Sequence, residues 1–130
     1  MFFKSGMHGL FPSALIATLA MGHAAADIPQ ADLEQNGAAG MVKEICSAVF
    51  VSNRDVDQFL EVSSSFWLTA EQRNNLPDAD LKIDRDQKTV SLTFPDGASG
   101  TASYFDGLGC VSHRSSDLAN IRELQNRLSS

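Results

Sequence analysis

The chain has 130 residues, of which 43% are hydrophobic and 20% charged, and carries a formal net charge of −6. That composition fits one small globular domain and excludes a disordered or collagen-like chain. An acidic balance repels phosphate, which argues against nucleic-acid partners and anionic membrane surfaces.

Residues 1–26 read as a secretory signal peptide. Lys4 precedes the uncharged apolar run Leu10–Gly22, and Ala24-Ala25-Ala26 offers the small residues at which such leaders are cleaved. The run is shorter than the roughly 20 residues that span a bilayer, so a membrane anchor is the weaker reading. The expectation is an exported protein, periplasmic or extracellular, with no membrane association after cleavage. Residues 27–112 would form a small α+β domain and residues 113–130 a helical tail.

Asp27–Gly37 contains Pro29 and Gly37 and reads as a loose arm with at most one helical turn at Ala31–Glu34. A helix is predicted over Ala38–Val51. Lys43, Glu44 and Ser47 form its one narrow polar strip, so most of its surface must be covered. Asn53 suits the left-handed residue that ends many helices, and Asp55 suits the cap of the next. Val56, Phe59 and Leu60 predict a short second helix over Val56–Ser63, with Ser63-Ser64-Ser65 breaking it. Phe66-Trp67-Leu68 follows as an apolar knot with Trp67 in the core. Thr69 can cap a further turn over Glu71–Asn74.

From Leu81 the hydrophobic period changes to two. Leu81 and Ile83, then Val90, Leu92 and Phe94, then Ala102 and Tyr104 alternate with polar residues across two turns. This predicts a three-stranded antiparallel meander with one apolar face, on which the Ala38–Val51 helix would lie. Leu118, Ile121, Leu124 and Leu128 are spaced as the stripe of a C-terminal amphipathic helix capped by Ser116 or Asp117, with Glu123 and Arg127 paired at i, i+4. That stripe is the candidate contact for a protein partner.

Cys46 and Cys110 are the only cysteines. In an exported chain two cysteines imply one disulfide, here between the buried helix and the end of the meander. Closing so long a loop stabilises a fold by roughly 4 kcal/mol in the chain-entropy model.

Catalytic chemistry is scarce. Once the leader is removed, His113 is the one remaining histidine, so neither a metal cluster nor a Ser–His–Asp triad is indicated. It reads as a solvent-facing residue just past the disulfide. Asp78, Asp80, Asp84 and Asp86 lack the spacing of a calcium loop and read as a solvated strand edge and turn. Gly107-Leu108-Gly109 lacks the third glycine of a phosphate loop and reads as a tight turn. No Ser-x-x-Lys, Lys-Thr-Gly or Gly-x-Ser-x-Gly occurs. No catalytic residue, cofactor or metal is assigned.

Three stretches carry a resemblance. Cys46–Leu60, CSAVFVSNRDVDQFL, resembles the opening helix of exported serine hydrolases of the β-lactamase and penicillin-binding-protein superfamily, in the branch similar to 6-aminohexanoate-dimer hydrolases. Asn53 and Val56 stand where that pattern has Gly and Pro. Ile83-Asp84-Arg85 with Val90 resembles a strand signature of the same proteins, and Tyr104–Cys110, YFDGLGC, a third segment. The resemblance spans residues 38–112. It implies an N-terminal accessory region, with the Ser-x-x-Lys nucleophile and tyrosine base of amide or ester hydrolysis in a domain that follows it. This chain diverges after Val111 and stops at Ser130, which points to a truncated or frameshifted member or a stand-alone accessory copy, inactive by itself. The alternative is an exported binding or inhibitory module without enzymatic activity.

Overall fold

The computed structural model describes residues 28–130, and the signal peptide expected over residues 1–26 lies outside them. The architecture is α+β. Helix α1 (Gln30–Phe50) lies on one face of a four-stranded antiparallel sheet of order β1 (Asp80–Asp84), β2 (Thr89–Thr93), β3 (Ser99–Phe105), β4 (Gly109–Ser112). Helix α2 (Val56–Trp67) packs on α1, α3 (Ala70–Asn75) follows it, and α4 (Leu118–Ser129) ends the chain.

Met41, Val42 and Ile45 of α1 are fully buried against Val90 and Leu92 of β2 and Ala102 of β3. The apolar alternation of the strands and the thin polar strip of α1 thus meet in a single core. Cys46 is bonded to Cys110 with their Cα atoms 6.0 Å apart. This bond ties the middle of α1 to β4.

Helix α1 begins at Gln30, so the loose arm expected over Asp27–Gly37 is instead mostly helix. Gly37 and Gly40 do not interrupt it because they are contact points. A Cβ at Gly37 would collide with the Trp67 carbonyl, and one at Gly40 with the indole ring. On the sheet side, a Cβ at Gly100 would stand 2.7 Å from the Ala38 carbonyl oxygen, so α1 rests directly on β3 there.

The serine run fails to stop α2, which continues to Trp67. Serine in a helix interior costs only a few tenths of a kcal/mol relative to better formers. The contacts of Trp67 on Gly37 and Gly40, and of buried Leu68 beyond it, outweigh that cost. Trp67 is not a core residue as expected: one face of its indole meets α1 and the side chain remains 43% exposed. Asp55 caps α2 by accepting from the Gln58 N–H at 2.9 Å. Asn53 adopts the left-handed conformation past α1, with φ +49°.

Thr69 caps α3 in a reciprocal arrangement with Gln72. Gln72 is 1% exposed. Its Oε1 accepts from the Thr69 N–H at 3.2 Å and its Nε2 donates to the Glu34 carbonyl at 2.8 Å. One side chain therefore fastens the end of α2 and the start of α3 to α1.

The sheet has four strands rather than three. β4 pairs Cys110 with Tyr104 and Val111 with Ser103, after a turn in which Gly107 and Gly109 have φ of +83° and +76°. Left-handed φ at both positions suits glycine, and the turn closes a hairpin that the short stretch Gly109–Ser112 does not advertise. Asp84 Oδ1 accepts from the N–H groups of Asp86 and Gln87 in the β1–β2 turn. Asp96 Oδ1 accepts from the Ala98 N–H in the β2–β3 turn.

Candidate functional site

Alternation sends Val90, Leu92 and Ala102 toward α1 and the intervening residues to the opposite face. That outer face forms the floor of a basin of about 1020 Å³. β1 contributes Lys82 and Asp84 to one wall, and the segment from His113 through Arg122 and Gln125 contributes the other. Its lining residues on β2 and β3 include Thr89 paired with Ser103, Ser91 paired with Thr101, and Ser99, beside Tyr104 and Phe105.

The C-terminal helix borders this basin without covering it. It starts at Leu118, after a 3₁₀ turn over Ser115–Asp117. Asp117 stands at its N-cap position but its side chain accepts from the Arg114 N–H instead of capping α4. Gln125 Nε2 donates to the Asp106 carbonyl at 3.1 Å, a contact between α4 and the β3–β4 turn. Of the predicted stripe, Leu118 and Ile121 are half-buried, while Leu124 and Leu128 remain 49% and 61% exposed. Glu123 and Arg127 form the expected ion pair.

His113 is half-buried beside the sheet, not simply solvent-facing. Its Nε2 lies 2.8 Å from Ser103 Oγ, and its Nδ1 lies 3.2 Å from the Arg114 carbonyl oxygen. A carbonyl can only accept, so Nδ1 donates to Arg114, while the Nε2–Ser103 bond takes its direction from the form of the ring. Ser103 Oγ is also 2.7 Å from Thr89 Oγ1. The result is a polar chain from β2 through β3 to the end of β4, edged by Phe105, whose ring meets the imidazole edge-on at 6.2 Å.

A serine hydrogen-bonded to an imidazole is one element of a nucleophilic site, but the rest is not assembled around it. Ser103 is 4% exposed and its oxygen is held from both sides. Acyl transfer needs an accessible oxygen and convergent donors for the developing oxyanion. The N–H groups of β3 are engaged in strand pairing. The chain of hydroxyls satisfies buried polar groups and joins strands. Its signal in the sequence is the outward Ser/Thr alternation of two consecutive strands, which reads as an ordinary polar face until their register is known.

The acidic residues do not converge. Among the described residues no three His, Cys, Asp or Glu side chains are grouped as a metal ion requires. Lys82 pairs with Asp80 at 3.2 Å, and Asp84 serves the turn. The Asp117 carboxyl is held below its usual range, first by the Arg114 backbone N–H and then by the Arg114 guanidinium and His113. Across the molecule, a hydrogen bond with Asp96 raises Glu34 above the ordinary glutamate value. Asp96 is lowered, chiefly by the Ala98 N–H and then by Glu34. The Glu34–Asp96 pair lies outside the basin, and Asp117, on its wall, is occupied by the Arg114 N–H and guanidinium. No helix among the described residues is long and apolar enough to cross a membrane.

No family model, no curated protein and no solved structure matches this chain.

Proposed function

We propose that this chain is the accessory, scaffold region of an exported serine hydrolase of the β-lactamase-like superfamily, and that it performs no hydrolysis by itself. The reading is supported by where the three resembling stretches fall. CSAVFV supplies the buried flank of α1 and the disulfide sulfur of Cys46. Ile83-Asp84-Arg85 ends β1 and enters its hairpin turn. YFDGLGC supplies the end of β3, the glycine turn and Cys110. All three serve packing, turning or cross-linking, which is what a scaffold would retain. The exposed Leu124 and Leu128, with Leu118 and Ile121 beside them, are the residues through which a neighbouring catalytic domain would contact α4.

The test uses the purified, oxidised chain. Alone it should hydrolyse neither nitrocefin nor p-nitrophenyl acetate above buffer. Added to a catalytic domain of this superfamily stripped of its own N-terminal region, it should raise that domain's activity or melting temperature. Turnover by the chain alone would overturn the assignment. Absence of any effect on the catalytic domain would favour the second reading, a stand-alone exported binding or inhibitory module. That reading draws support from the basin on the outer sheet face.

A further inference from the structure

Strand β1 is an open edge of the sheet. It pairs with β2 on one side, and no other described strand pairs with it on the other. The direction of its free backbone groups follows from the strands beside it. The Phe94 N–H donates to the Ala98 carbonyl and the Tyr104 N–H to the Lys88 carbonyl, so the even-numbered residues of β2 bond toward β3. The odd-numbered residues Thr89, Ser91 and Thr93 therefore bond toward β1, where they face Asp84, Lys82 and Asp80. That leaves the N–H and C=O groups of Leu81 and Ile83 pointing away from the sheet. Ala79 is extended, with ψ 148°, and its N–H is spent on the Leu76 carbonyl, so by the same alternation its carbonyl joins them.

The side chains divide by face. Ala79, Leu81 and Ile83 are half-buried at the margin of the core, while Asp80, Lys82 and Asp84 stand exposed on the other face. Sheet edges are commonly guarded against pairing by a proline, a bulge or a charge turned inward. β1 has none of these: its residues pair one to one with β2 and its charges all face outward. Outward charges also guard edges, and here their effect depends on register. An antiparallel copy centred on Lys82 would set Lys82 against Lys82 and Asp80 against Asp84, which is repulsive throughout. A copy centred on Ile83 would set Lys82 against Asp84, whose carboxylate already holds the β1–β2 turn. A copy centred on Leu81 sets each Lys82 against the opposite Asp80. That carboxylate is available, since Asp80 pairs with Lys82 of its own strand at 3.2 Å and both side chains are exposed.

We propose that a second copy of this chain pairs with β1 through its own β1, antiparallel and centred on Leu81, joining the two sheets into one. In that register the two Leu81 residues exchange backbone hydrogen bonds, and each Ile83 N–H donates to the opposite Ala79 carbonyl. On the inner face Leu81 meets Leu81 and Ile83 meets Ala79, which covers the half-buried margin. On the outer face the Lys82–Asp80 match occurs twice, because a two-fold contact repeats every pair. An unrelated strand would supply the hydrogen bonds without that match. β1 lies at the opposite edge of the sheet from β4, after which α4 begins, so this contact is tested separately from the hydrolase assays.

The experiment is analytical ultracentrifugation of the intact oxidised protein up to millimolar concentration, with amide hydrogen exchange at both ends of the range. A monomer–dimer equilibrium should appear, with the Leu81 and Ile83 amides protected at high concentration and exchanging freely at low. Lys82→Asp and Asp80→Lys, each at an exposed side chain, should each weaken self-association about tenfold, since both cross-strand pairs become repulsive. Mixing the two variants should restore a dimer of parental strength, because every lysine then faces an aspartate again. A chain that stays monomeric at every concentration would overturn the proposal. So would a dimer that both variants leave intact, or variants whose mixture does not recover it. A dimer whose Leu81 and Ile83 amides stay unprotected would also overturn it, and would point to another surface, such as the exposed Val62 and Phe66 of α2.

Discussion

Gln72 illustrates how a single polar side chain can decide where elements sit. Buried polar groups are tolerated only when their hydrogen bonds are made. Here the amide spends its oxygen on the Thr69 N–H and its nitrogen on the Glu34 carbonyl, so the end of α2, the start of α3 and α1 are held in one arrangement. Gln72→Met conserves volume and removes both bonds. It should lower stability by about 1–3 kcal/mol, because the Thr69 N–H loses its partner inside the fold. Urea denaturation against the parent chain measures the loss, and an unchanged midpoint would contradict the role given to this residue. In the sequence, Thr69 is legible as a cap, but the reach of Gln72 to Glu34, 38 residues away, depends on α1 extending back to Gln30. His113 is similar. Nothing in its sequence neighbours announces Ser103 as its partner, because that contact depends on β3 and β4 pairing.

At the scale of elements, the junction of α1 with α2 is a glycine face meeting an indole. Gly40 has no room for a methyl group, since its Cβ would overlap the Trp67 ring. Gly40→Ala should force α2 outward, costing about 1–3 kcal/mol as overpacking does. Trp67 is the only tryptophan, so its fluorescence reports on this junction alone. The emission should shift to the red as the ring loses contact with α1, and an unchanged spectrum would show that the helices do not meet as described. The same junction explains which elements were readable. Hydrophobic periodicity located the middle of α1, the start of α2, three strands and α4, because each buries an apolar face whose spacing repeats. It placed the start of α1 too late and the end of α2 too early. Gly37, Gly40 and the serine run have breaker propensities that a tertiary contact overrides. It missed β4, whose four residues are too few to show a period. The outward hydroxyls were visible as polar alternation on two strands, but their cross-strand pairing follows from register.

For the molecule as a whole, one helix must be held on a sheet with few other supports, and the Cys46–Cys110 bond closes a separation of 64 residues. In the chain-entropy model a loop of that length stabilises the fold by roughly 4 kcal/mol. That is a large share of the total for a domain whose marginal stability is about 5–15 kcal/mol. The paired substitution Cys46→Ala, Cys110→Ala should bring the domain close to its unfolding threshold at 37 °C. Thermal melting followed by circular dichroism tests this, and a midpoint within a few degrees of the oxidised parent would show that the core holds by itself.

The position of α1 at the front of the fold has a consequence in time. Its apolar flank, from Met41 to Val49, is made before any strand that covers it, and its cysteine precedes its partner by 64 residues. At about 5–20 residues per second, synthesis leaves that flank without its sheet for roughly 3–13 s. Until β2 and β3 follow, α2 is the helix that packs against it. The helix most completely buried in the finished protein is therefore the one most exposed to misassociation while the chain is being made.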